Sequence, residues 1–115
     1  MKIPEIAELI SAEICTKNHN PEIDILSACS ADLMSDVMAF SKSNALLLTG
    51  LVNPQVIRTA EMMDIKAVAF VRGKKPLLSM IEMAEEKGIA LLATEHPLFV
   101  ASGKLYKSGI HGRGE

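Results

Sequence analysis

Residues Asn44–Pro76, NALLLTGLVNPQVIRTAEMMDIKAVAFVRGKKP, decide the fold. Two apolar runs, Ala45-Leu46-Leu47-Leu48 and Ala67-Val68-Ala69-Phe70-Val71, flank one helical stretch. Runs this short and this continuously apolar suit strands buried on both faces, as in a parallel sheet covered by helices. Asn53-Pro54 reads as an N-cap followed by proline at the first helical position. Val56, Ile57, Ala60 and Met63 then recur at helical spacing. The stretch is a strand–helix–strand unit, and its crossover is expected to be right-handed.

Upstream of this unit, Pro4 to Ile14 is predicted as an amphipathic helix with Ile3, Ile6, Ile10 and Ile14 on one side. The β-prone Ile-Cys-Thr at its end allows a short strand over Ala12–Thr16. Lys17 to Glu22 is a polar loop. Ile23–Ser30 is predicted as a strand and Ala31–Ser41 as a helix, with Leu33, Val37 and Phe40 as its stripe. Asp32 falls in the first turn, where a carboxylate suits the helix dipole.

Downstream, Pro76 opens a helix with Leu77, Met80, Ile81 and Ala84 inward, closed by Gly88 as C-cap. Ile89–Thr94 is the last core strand. Glu95-His96-Pro97 turns into a final helix with Leu98, Ala101 and Leu105 as its stripe. The glycine-rich end is expected to be loose, which divides the chain into a domain over 1–110 and a flexible tail over 111–115. This alternation predicts an α/β fold: a single three-layer domain with a mostly parallel central sheet flanked by helices.

Composition narrows the function. A chain of 115 residues, 49% hydrophobic, holds one domain with a real core. A formal net charge of −2 and 3% aromatics leave no footprint for nucleic acid. No apolar run approaches the roughly 20 residues that span a bilayer. The opening MKIPEIAELISAEI carries acids early and lacks a long apolar core, so a cytoplasmic location is expected. Cys15 and Cys29 read as reduced, buried thiols; no metal site and no cofactor are expected.

Polar residues collect after the strands. Thr49, Gly50 and Asn53 follow one, Arg72, Gly73 and Lys74 the next, and Thr94, Glu95 and His96 the last; Ser30 and Asp36 come after the earliest. In a parallel sheet these turns share one edge, where α/β folds bind ligands. Backbone N–H groups at a helix start, with Arg72 or Lys74, suit a phosphate or carboxylate. The candidate ligand-binding set is therefore Thr49, Gly50, Asn53, Arg72, Gly73, Lys74, Thr94 and His96. The plainer reading makes them caps and a solvated turn. Catalytic spacings are missing: Gly103-Lys104 is followed by Leu105 and preceded by Leu98 where a P-loop needs glycine, and no GxGxxG, HExxH or GxSxG motif occurs in a strand–turn–helix context.

LLLTGLVNPQVIRTAEMMDIKAVAFVRGKKP, the preceding MSDVMAF and the later IALLATEHPLFVASGKLYKSGI together resemble the DRTGG domain family, in its small stand-alone form, over about Ile3–Ile110. Thr49–Asn53 stands where other members have a Gly-Asp-Arg-Thr turn, and Val71–Lys74 where they have Thr-Gly-Gly. The resemblance implies a fold like the N-terminal domain of the HPr kinase/phosphorylase. Related domains occur beside CBS domains in regulated pyrophosphatases and in some phosphotransacetylases, as regulatory or assembly modules without chemistry of their own. A serine-kinase role is not implied, because the kinase P-loop lies in another domain. The reading that follows is a non-enzymatic module that forms a homodimer and binds a small anionic ligand. The alternatives are a small enzyme acting on a phosphorylated or acyl metabolite through Thr49, Asp36 or His96, or a protein-partner subunit of a larger metabolic complex with no small ligand.

Overall fold

A computed structural model describes residues 1–112 except Asn18 and Pro21, and describes Phe40 without its side chain. Its elements are α1 (Ile3–Leu9), β1 (Ala12–Ile14), β2 (Ser27–Ser30), α2 (Met34–Phe40), β3 (Ala45–Thr49), α3 (Gln55–Met62), β4 (Ile65–Phe70), α4 (Leu78–Lys87), β5 (Ala90–Thr94) and α5 (Leu98–Lys107). They form one sheet in the order β1-β5-β4-β3-β2. β2, β3, β4 and β5 are parallel neighbours, and β1 runs antiparallel along β5.

The central strands are buried on both sides, which is why their sequences do not alternate. Successive side chains enter opposite layers. Leu46, Leu48, Ala67, Ala69, Ala90 and Leu92 pack with Ile3, Ile6 and Ile10 of the α1 segment and Ala101 and Leu105 of α5. Leu47, Val68, Phe70 and Leu91 pack with Val37 of α2, Val56, Ile57 and Ala60 of α3, and Met80 and Ala84 of α4. The result is the three-layer α/β domain expected. Ile65 and Ala67 face different layers because Lys66 is an extra residue in the register, opposite the Ala45/Leu46 step.

The four parallel strands advance in one direction, and α2, α3 and α4 all cross on the same face, as a uniform crossover hand requires. Left-handed residues sit just before the strands: Asn44 (φ 52°), Asp64 (φ 57°) and Gly88 (φ 70°) precede β3, β4 and β5. Asparagine and aspartate tolerate this conformation better than other residues with side chains. Of the three, only Gly88 is recognisable from sequence as a C-cap.

Several boundaries differ from expectation. α1 stops at Leu9 because Ser11 takes a left-handed backbone (φ 53°) and turns the chain into β1, the short strand allowed over Ala12–Thr16, so Ile14 belongs to that strand and is half-buried. β2 is shorter than the predicted Ile23–Ser30. α2 begins at Met34, and Met34 with Val37 forms its buried side, while Leu33 is exposed. Leu77 is likewise exposed rather than inward. The expected stripe residue Phe40 and residues 113–115 of the expected tail lie outside what is described. Ile110 is buried, and the His111 carbonyl accepts from the Ala28 N–H at 3.0 Å, so the chain end through His111 lines the free side of β2. Cys15 and Cys29 are half-buried beside opposite sheet edges, four strand spacings or about 19 Å apart, too far for a mutual disulfide. Desolvation raises both thiols above the ordinary cysteine range. Among the described residues, no helix is long and apolar enough to cross a membrane.

Candidate functional site

The C-terminal ends of the parallel strands lie along one edge, and each turn there is tied down by a specific bond. Thr49 ends β3. Its hydroxyl accepts from the Leu51 N–H at 3.1 Å and donates to Asp32 Oδ1 at 3.1 Å. Thr94 ends β5 in the same way: its hydroxyl accepts from the His96 N–H at 3.2 Å and donates to the Ile10 carbonyl at 2.6 Å. Both threonines are buried, and their hydroxyls organise the turns. Asn53 Oδ1 accepts from the Gln55 N–H at 2.8 Å, which makes it the helix cap read from the sequence.

Asp32 gathers the β3 side of the edge. Its Oδ1 also accepts from the Gly50 N–H at 2.7 Å, and its Oδ2 lies 3.6 Å from Arg72 Nη2. The Gly50 N–H above all, joined by the Thr49 hydroxyl and the Arg72 guanidinium, holds the Asp32 carboxyl below its ordinary range, against a desolvation second in size only to the Gly50 bond. Arg72 takes a left-handed backbone (φ 59°), an unusual conformation for a residue with a long side chain. Its guanidinium lies over Gly50, where a Cβ would come within 2.1 Å of Nη2. Left-handed backbone at a residue with a Cβ costs about 1–2 kcal/mol, whereas ion pairs between exposed groups contribute about 0–1 kcal/mol. The half-exposed Asp32–Arg72 pair therefore does not account for the conformation of Arg72, which belongs to the turn Val71–Lys74, where Arg72 and Gly73 are both left-handed and the Lys74 N–H donates to the Val71 carbonyl at 3.1 Å.

The β4 turn is stitched to the end of β5. The Arg72 N–H donates to the His96 carbonyl at 2.9 Å, and the Gly73 N–H to the Thr94 carbonyl at 3.0 Å. Beyond this stitching, at the place where antiparallel β1 meets β5, a cleft of about 200 Å³ opens between Ser11, Glu13, Gly73, Lys74, Lys75 and Glu95. Gly73 (φ 73°) lies under Glu95, whose Oε2 would be 2.6 Å from a Cβ there. Lys75 Nζ pairs with Glu13 Oε1 at 2.9 Å, and that bond raises the Lys75 pKa. Lys74 has no ion-pair or side-chain hydrogen-bond partner among the described residues.

The eight candidate residues thus divide. Thr49, Gly50 and Arg72 surround Asp32; Gly73, Lys74 and Thr94 border the cleft; Asn53 caps α3; His96 contributes backbone groups. Asp32 is the residue the sequence reading misplaced: it bonds across to the next strand end instead of serving the α2 dipole. Asp36, the carboxylate singled out instead, is an exposed α2 residue. Ser30 turns toward α5, its hydroxyl 2.7 Å from that of Ser102. Among the described residues no group of His, Cys, Asp and Glu has metal-site geometry. The Thr49–Asp32 pair is a poor nucleophile and base, since the hydroxyl is fully buried and the carboxylate is held acidic.

No protein-family model matches the chain, and no curated protein matches it. Among solved structures, it superimposes on the CBS and DRTGG domains of the regulatory region of Clostridium perfringens pyrophosphatase with a TM-score of 0.75 and 19% identity, over 93% of this chain and 46% of that one. The fold is DRTGG-like. At this identity the likeness speaks for the fold alone, and the chain spans less than half the length of its structural neighbour. That neighbour was crystallised with an activator, diadenosine tetraphosphate. The DRTGG-like fold agrees with the resemblance carried by the three sequence segments.

Proposed function

We propose that this chain is a non-catalytic cytoplasmic regulatory or assembly module that self-associates and binds a small anionic, phosphate- or nucleotide-like ligand at the C-terminal strand edge. The observation that carries the reading is the cleft at Gly73–Lys75, with Lys74 beside it as a cation that has no side-chain partner among the described residues. Glu13 is already neutralised by Lys75, which leaves Lys74 and the Glu95 carboxylate over Gly73 as the charges an anion would meet. At about 200 Å³ the cleft admits a phosphate group and not a whole nucleotide, given that sites for drug-sized ligands span roughly 300–1,000 Å³. A nucleotide would seat a phosphate there and keep its base outside. The nucleotide activator of the structural neighbour supports this ligand class.

Thermal unfolding in the presence of phosphate esters, mononucleotides and dinucleotides tests the ligand. At about 100 times its dissociation constant a ligand stabilises by about 2.7 kcal/mol, on the order of 10 °C for a domain of this size. Lys74→Ala should abolish the shift. No shift with any compound overturns the ligand part of the proposal.

Self-association is assigned to the outer face of α5, where Phe99 is 88% exposed and Tyr106 55%. The occupant is a second copy, with α5 antiparallel to its equivalent. That arrangement brings Lys104 and Lys107 of the last turn toward the partner's Glu95 before the first. Light scattering should give a dimer that Phe99→Glu converts to monomer. A monomeric wild type, or one that recovers dimensions of a complex only with a different protein, overturns this assignment.

A further inference from the structure

We infer that Thr49, Gly50 and Arg72 form a second oxyanion site, for a carboxylate or phosphate group, which the side chain of Asp32 occupies as an internal competitor. This site is separate from the cleft at Lys74 and stands even if that cleft binds nothing.

The donors converge from two different turns. The Gly50 N–H and the Thr49 hydroxyl come from the end of β3, and the guanidinium comes from the end of β4. A carboxylate already sits among them, so an oxyanion fits the space. Asp32 fills the site incompletely. One oxygen, Oδ1, takes both of the short hydrogen bonds, while Oδ2 makes only a long ion-pair contact with Arg72 at 3.6 Å. An external oxyanion in place of the Asp32 carboxylate would take the Gly50 and Thr49 donors with one oxygen and close on the guanidinium with another, through charge-assisted bonds. One backbone choice serves the guanidinium rather than Asp32: residue 50 has no side chain where Arg72 lies. Asp32 is also free to leave, since it precedes α2, lies outside any helix or strand, and is about half exposed.

The test is residue-resolved NMR titration of the full chain with inorganic phosphate and, separately, acetate. In wild type, the Gly50 amide resonance should move saturably with at least one of the two. In Asp32→Ala the same amide should respond at about tenfold lower concentration, because the competing conformation is gone. Adding Arg72→Ala to Asp32→Ala should abolish the response. If Asp32→Ala does not fold, Asp32→Asn keeps the shape and removes the charge, and its affinity should exceed that of wild type. The acetate and phosphate arms distinguish a carboxylate ligand from a phosphate ligand. A Gly50 amide unmoved by both anions in the Asp32 variant overturns the site, and equal affinities in wild type and variant overturn the competition. A response at Gly73 and Lys74 alone would support the cleft and count against the Asp32 site, so the two proposals fail separately.

Discussion

The turns after β3 and β5 start from the same device and end differently. In each, a buried strand-terminal threonine accepts from the N–H two residues on, Leu51 in one and His96 in the other. What differs is the acceptor of the hydroxyl proton. Thr49 donates to a side chain, Asp32, which then fills the space at the strand end. Thr94 donates to the backbone of Ile10, and the space beside it stays open as the cleft. Sheet direction explains the contrast. β2, β3 and β4 are parallel, so their C-terminal turns arrive side by side and close on one another. β1 runs the other way, and brings the Ser11 hinge to the edge in place of another turn with its helix.

The sharpest way to break this comparison is to remove each hydroxyl in turn. Thr94→Val strands the buried Ile10 carbonyl and should cost about 1–3 kcal/mol, the penalty of leaving a buried polar group unpaired. Thr49→Val should cost less, about 0.5–1.5 kcal/mol, because half-exposed Asp32 can turn to water and keep its Gly50 bond. Urea denaturation of the two variants measures both, and a larger loss for Thr49→Val would refute the distinction drawn between backbone and side-chain acceptors.

A smaller effect appears in acid. The Asp32 carboxyl is held below its unfolded value, so its contribution to stability is present above about pH 4 and is lost as the pH falls through the folded value. The unfolded state takes up this proton first, which makes folding less favourable. Asp32→Ala should therefore lose less stability than wild type between neutral pH and acid, read from urea midpoints against pH; parallel curves would show that the Gly50 bond does not matter to the carboxyl.

The smallest effect is expected where function and stability are held to diverge. Arg72→Gly relieves the left-handed strain, loses an exposed ion pair and adds freedom to the unfolded chain, and these should cancel to within about 1 kcal/mol. The same substitution should remove the oxyanion response at Gly50. A large loss of stability would instead make Arg72 a structural clasp.

Much of the architecture was readable because burial on both faces leaves a plain mark. The runs 45–48, 67–71 and 89–94 are apolar without alternation, and each is separated by a stretch with helical spacing. Asn53 was legible as a cap because its bond is local, two residues away. α1 was overextended because Ile3, Ile6, Ile10 and Ile14 keep helical spacing past the actual stop. Nothing in Ser11 marks a left-handed turn; serine adopts one here because β1 must reverse against β5.

The sequence by itself determined the layers, the parallel core and the edge on which polar residues gather, since each follows from periodicity over a few neighbours. Only the tertiary structure decided that Asp32 crosses to Gly50 and Arg72, that β1 turns antiparallel, and that a cleft remains beside Lys74. Those outcomes depend on contacts between residues 17 to 84 positions apart, Thr49 with Asp32 at one extreme and Thr94 with Ile10 at the other. Local pattern carries no information about such pairs, because strand order and direction bring them together.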